Sequence, residues 1–112
     1  AVSEREKQDH SRMRQPEEVA AKKAGDEERL MRGENPDTTY LEDAEHWAGV
    51  YRELLAFKHD LLDFTKERIA RMKPPASNEL ATTDLVILEA EHNRLRSRFD
   101  FWEKRRGELR TG

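Results

Sequence analysis

Two histidine-containing tetrapeptides are the residues of this chain whose types and spacing could do chemistry. One runs from Asp43 to His46 and the other from Glu89 to His92, and each is an acid followed by Ala, Glu and His. An acid and a histidine three residues apart lie on one face of a helix, and carboxylate with imidazole suits Fe, Mn or Zn. In an antiparallel hairpin, the second tetrapeptide lies level with residues 59–63. The candidate metal ligands are therefore His59, Asp63, Glu89 and His92.

The Glu-x-x-His spacing resembles the way in which ferritin-like di-iron proteins present ligands to the interior of a helical bundle. This resemblance covers the two tetrapeptides only, and it implies a metal-binding helical bundle. In the first tetrapeptide, Asp43 stands where that family has Glu. The helices also offer Phe and Trp where further inward carboxylates would be needed. We therefore predict no metal and no cofactor, and we keep the metal-binding bundle as an alternative function.

The chain lacks the residue patterns of covalent catalysis. It has no Cys, its five Gly are scattered, and it contains neither a phosphate-binding loop nor a G-x-S-x-G sequence. Two helices also form no deep cleft in which acyl or phosphoryl transfer could occur. We predict that the protein is not an enzyme.

Basic residues become more frequent near the end of the chain. Arg94, Arg98 and Arg105 form a basic helix face that could meet phosphate. The net charge of the whole chain is −3, and no aromatic residues interleave on this face for base stacking. A nucleic-acid-associated helical protein is therefore an alternative, and nucleic acid is not the partner that we expect.

The stretch from Thr38 to Met72 predicts one long amphipathic helix, over residues 38–73. Thr39 and Glu42 match a capping box at its start, and Pro74 with Pro75 ends it.

The apolar surface of this first helix is unusually wide. It covers roughly 220° of the helix, whereas an ordinary surface helix shows about 100°. One stripe holds Leu41, Ala44, Ala48, Tyr51, Leu55, Leu62 and Ile69, and the adjacent stripe, which we predict to be the interaction face, holds Trp47, Val50, Leu54, Phe57, Leu61 and Phe64.

A second helix, over residues 79–110, carries a narrower apolar seam with heptad spacing. A short Pro-rich link makes it an antiparallel neighbour of the first helix. Its seam satisfies one stripe of the first helix and leaves the other uncovered. The seam residues are Leu85, Leu88, His92, Leu95, Phe99, Trp102, Arg106 and Leu109.

We therefore predict an all-α, coiled-coil-like, two-helix antiparallel hairpin that dimerises into a four-helix bundle. Two other outcomes stay open. The spare face could bind a different protein, or the N-terminal arm could fold back over it.

Residues 1–37 differ from the rest, because they contain few large apolar residues and many charges. We predict a flexible polar arm with a possible short helix at 17–32, followed by a hairpin domain at 38–112. The chain has no apolar run of 18 residues and no Cys, so we expect a cytoplasmic protein with no membrane contact.

The function that we predict is a small protein–protein interaction module, which is an adaptor, regulator or assembly subunit. It acts through the wide apolar face of its first helix. The expected partner is a second copy of the chain, another protein, or both.

Overall fold

A computed structural model of the chain describes Lys22 and residues 24–111. Helix α1 spans Leu41–Arg71, the short helix α2 spans Ala76–Thr82, and helix α3 spans Asp84–Thr111. Three ion pairs join α1 to α3 in opposite chain order, so the two long helices are antiparallel. The predicted all-α hairpin is confirmed. The pairs are Glu45 with Arg110, Arg52 with Glu103, and Lys58 with Glu91.

Helix α1 starts later than predicted, and its capping differs. Tyr40 is the N-cap residue and makes no side-chain capping bond, so the predicted capping box from Thr39 to Glu42 is wrong. Thr38 ties down the first turn instead. Its hydroxyl donates a 2.6 Å hydrogen bond to the Asp43 carboxylate and accepts one from the backbone N–H of Tyr40.

The second predicted helix is divided in two. Helix α2 begins at Ala76, directly after the two prolines, and is followed by Thr83, whose backbone leaves the helical region (φ −117°, ψ −85°). The Thr83 hydroxyl donates to the carbonyl of Glu79 at 2.8 Å and to the carboxylate of Asp84 at 3.2 Å. Helix α3 then carries the seam to Thr111.

The core lies where the first stripe of α1 meets the seam of α3. Tyr51 and Trp102 are its largest fully buried side chains, and Leu95 is buried beside them. Two small residues of α1, Ala44 and Ala48, are also fully buried, and their size leaves room for the large rings. The predicted pairing of the first stripe with the seam is confirmed.

Residues 25–40 form turns and coil that pack along the hairpin. Glu34 and Thr38 are buried, and the backbone turns at Gly33, which has a φ of +86°. From residue 25 onward the predicted helix at 17–32 is absent, and this part of the arm is not a free tail. Residues 17–21 and 23, with the rest of the predicted arm before them, lie outside the described residues.

Two glycines allow opposite predictions. Gly33 has a positive φ, whereas Gly49 lies inside α1, where an added methyl group would meet no atom within 4 Å beyond the backbone of its own helix. We expect Gly33→Ala to lower the free energy of unfolding by about 1 kcal/mol, because an L-residue is strained there. We expect Gly49→Ala to raise it by about 1 kcal/mol. Urea denaturation checks both variants, and a shift of the same sign in both would contradict this account.

Candidate functional site

The side chain of Glu34 is fully buried and forms the centre of a polar network between the arm, α1 and α3. One carboxylate oxygen accepts from the Met31 backbone N–H at 2.9 Å and from the Tyr51 hydroxyl at 2.5 Å. The other accepts from the Arg98 guanidinium at 2.6 Å and from the Trp102 indole N–H at 2.7 Å. Four donors therefore surround one carboxylate, and they come from three segments of the chain.

This network sets the protonation of its two acidic members. Burial is the largest influence on the pKa of Glu34 and would raise it, but the four hydrogen bonds together outweigh burial and hold the pKa below its usual value. Burial, then the hydrogen bond and the charge of Glu34, raise the pKa of Tyr51 to about 12. At neutral pH the network therefore contains a carboxylate and a neutral phenol.

The predicted basic face is largely internal. Arg94 and Arg98 are buried, and burial followed by the nearby charge of Arg29 lowers the pKa of Arg94. Arg94 donates to the backbone carbonyl of Arg29 at 3.0 Å, and Arg105 donates to that of Thr38 at 2.8 Å. The expectation of an exposed phosphate-binding face is wrong for Arg94 and Arg98, because the arm covers them.

The Glu34 network was not predicted from the sequence. Gly33 and Pro36 indicate the end of a helix and say nothing about the acid between them. A usable signal lies in α3, where Arg94, Arg98 and Arg105 follow one side of the apolar seam. Three arginines beside an apolar seam need hydrogen-bond acceptors. Because a two-helix hairpin does not supply them, this pattern indicates that another segment of the chain packs there.

The structure divides the predicted interaction face of α1 into a covered part and an open part. Trp47 is half-buried next to Gly33 of the arm, with its ring 6.4 Å from that of Tyr51. Phe57 is 64% exposed and Phe64 is 58% exposed. The half-buried residues of this face are Trp47, Val50, Leu54 and Leu61.

We call the open part the apolar ridge; it is formed by the exposed Phe57 and Phe64, with the half-buried Leu61 between them in the sequence. Its two Phe side chains are two helical turns apart, or about 10 Å along the axis. The guanidinium of Arg68 lies over the Phe64 ring at 5.8 Å from its centroid. The ridge is therefore an apolar strip with a cation at one end.

Three of the four candidate metal ligands, two on α1 and one on α3, lie near one another. The imidazole Nε2 of His59 is 3.3 Å from the Asp63 carboxylate, and the His59 and His92 ring centroids are 5.5 Å apart. Glu89 is exposed and makes no hydrogen bond or ion pair with them in the described structure. Within Lys22 and residues 24–111, no group of three His, Asp or Glu side chains is arranged to hold a metal ion.

The first tetrapeptide has structural contacts instead. Asp43 accepts the hydrogen bond from Thr38, and the His46 ring packs edge-on against Trp47 with centroids 5.0 Å apart. It lies at the far end of α1 from His59, so the structure does not bring the two tetrapeptides together.

Comparisons with protein-family models, with curated proteins and with solved structures gave no match to this chain. Among the described helices, none is both long enough and apolar enough to span a membrane.

The Glu34 network predicts how stability depends on pH. The folded pKa of Glu34 is below its ordinary 4.5, so its contribution is complete above pH 4.5 and is lost as the pH falls through the folded pKa. We expect Glu34→Gln to reduce this acid-induced loss. At neutral pH, the variant should be less stable by about 3 kcal/mol, because the Arg98 charge stays buried without its partner.

Urea denaturation at several pH values makes this measurement. The matched control is Glu103→Gln, which removes a half-exposed carboxylate paired with Arg52 and Arg106 and should cost less than about 1 kcal/mol. Equal stability of the two variants at neutral pH would show that Glu34 does not anchor the arm.

Proposed function

We propose that the protein is a small protein–protein interaction module that binds its partner through the apolar ridge of α1. The observation that carries this proposal is the exposure of Phe57 and Phe64, which are both more than half exposed on a helix whose other side is packed into the core. Large exposed aromatic side chains on one surface are typical of interaction sites.

The arm covers only one part of the wide apolar face of α1. It accounts for part of the excess apolar width of α1, because it lies beside Trp47. The remaining width is the ridge, and none of the described segments covers it. Each Phe side chain can bury about 150–250 Å², so binding a partner there would remove substantial apolar area from water.

The ridge is also held in a fixed orientation before binding. Ala44, Ala48 and Tyr51 fix α1 against α3, and the Glu34 network fixes the arm on both helices. A preformed surface avoids part of the entropy cost of ordering on binding. Docking of a helix or groove against Phe57 and Phe64 is the mechanism that we propose.

We expect Phe57→Asp to abolish association through the ridge and to leave the hairpin folded. A charge at a central aromatic contact costs about 2 kcal/mol or more of binding, or roughly thirtyfold in affinity. Light scattering and a pull-down from the source cells measure self-association and binding to other proteins, and circular dichroism measures helicity.

The matched control is Ala56→Asp, which places the same charge on the neighbouring exposed position of the same helix. Loss of helicity in Phe57→Asp alone would show that the ridge belongs to the folded core. Identical association of wild type, Phe57→Asp and Ala56→Asp in both assays would end the proposal.

A metal-binding function is the second candidate, because the rings of His59 and His92 lie close to one another. Two imidazoles on one tetrahedral zinc ion, with Zn–N lengths of about 2.0 Å, have ring centroids roughly 5 Å apart. The His59 and His92 rings are 5.5 Å apart, which is close to that spacing.

Under this alternative, calorimetry should detect Zn²⁺ binding to wild type that is lost in His92→Ala. His46→Ala is the matched control, since His46 contacts Trp47 and lies far from this cluster. Weak zinc binding that is unchanged in His92→Ala would remove the metal hypothesis.

A further inference from the structure

We infer that the partner of the apolar ridge is a second copy of this chain, with the two α1 helices antiparallel and Phe57 of each copy against Phe64 of the other. This inference rests on the proposed function, because it names the occupant of the same surface. It also fixes the register of the contact, and the register can be tested.

The positions along α1 support a two-fold arrangement. Phe57 and Phe64 are seven residues apart, which is the spacing that keeps side chains on one seam between two helices. A two-fold axis that crosses the helices between residues 60 and 61 brings each Phe57 against the other copy's Phe64. It also brings Val50 opposite Arg71 and Glu53 opposite Arg68.

The charges at the ends of the ridge are complementary in this arrangement. Glu53 and Arg68 are both exposed, and neither forms an ion pair within the described part of the chain. The Arg68 guanidinium already lies over the Phe64 ring, at the rim of the proposed contact. The antiparallel register therefore makes two equivalent Glu53–Arg68 pairs, one on each side of the four Phe rings.

A parallel arrangement of the same helices would be unfavourable. It would place Glu53 opposite Glu53 and Arg68 opposite Arg68, and like charges across an interface oppose association. The same charges therefore favour one orientation and act against the other. A ridge without flanking charges would not distinguish the two.

The available area predicts a weak dimer. Four Phe side chains, each about 60% exposed, contribute on the order of 500 Å², whereas a stable specific interface buries about 1,200–2,000 Å² in total. Val50, Leu61 and the aliphatic parts of flanking side chains must supply the rest. We therefore expect dissociation of the dimer at low micromolar concentration and dimer at higher concentration.

Charge exchange tests the register. In Glu53→Arg, each copy presents two cations to the contact, and in Arg68→Glu each copy presents two anions. Each variant alone should dimerise at least about tenfold more weakly than wild type, because two attractive pairs become repulsive. An equimolar mixture of the two variants should dimerise as wild type does, since every contact again joins opposite charges.

The experiment uses the full chain, with sedimentation or light scattering over a wide concentration range. Lys66→Glu is the control for net charge, because it changes the charge as much as Arg68→Glu at an exposed position outside the proposed contact. It should dimerise as wild type does. Circular dichroism confirms that every variant stays helical.

Two results would overturn the inference: a wild type that stays monomeric at all concentrations, or a mixture that dimerises no better than its components. Neither result alone removes the proposed function. If another protein still binds wild type and Ala56→Asp but not Phe57→Asp, then the ridge is a docking surface for that protein. If Phe57→Asp changes no association, then the proposed function fails as well.

Discussion

The burial of the Glu34 carboxylate is the interaction on which the arrangement of this chain depends. A charged group removed from water is tolerated only when an opposite charge and hydrogen bonds replace its hydration. Arg98 supplies the charge, and Met31, Tyr51 and Trp102 supply the remaining donors. The donors come from the arm, α1 and α3, so one carboxylate fixes the relative positions of three segments. Displacement of any one of them leaves a buried charge incompletely satisfied.

The same network explains how a segment with few large apolar residues packs at all. Hydrophobic burial is small along residues 24–40, so polar bonds must hold the segment in place. Arg94 and Arg105 donate to backbone carbonyls of this segment, and Ser97 donates to the Glu27 carboxylate at 2.9 Å. Backbone carbonyls accept hydrogen bonds whatever the side chain is. A polar sequence can therefore be ordered by donors that lie elsewhere in the chain.

Because residues 24–40 are ordered by donors that lie far away in the sequence, some features of the fold could be predicted from the sequence and others could not. The helices and the seam follow from local periodicity, and the approach of His59 to His92 follows from the register of an antiparallel hairpin. The side-chain partners of Glu34 lie 17, 64 and 68 residues away. No local pattern distinguishes Glu34 from the other members of a set of 24 acids. Helix α1 also starts later than its predicted start at residue 38. Thr38 bonds to Asp43 and to Arg105 instead of serving as a local cap.

The two parts of the wide apolar face differ in how they can be recognised. The covered part, near Trp47, adjoins the Glu34 network of hydrogen bonds. Because hydrogen bonds are directional, they hold the arm in one arrangement. The ridge has no such groups, and contact between Phe rings and aliphatic side chains imposes little orientation. Any specificity at the ridge must therefore come from its edges. Glu53 and Arg68 are exposed charges that flank the two Phe side chains, because Glu53 lies one helical turn before Phe57 and Arg68 lies one turn after Phe64. The apolar ridge would supply the driving force for association, and these two charges would select the partner and its direction.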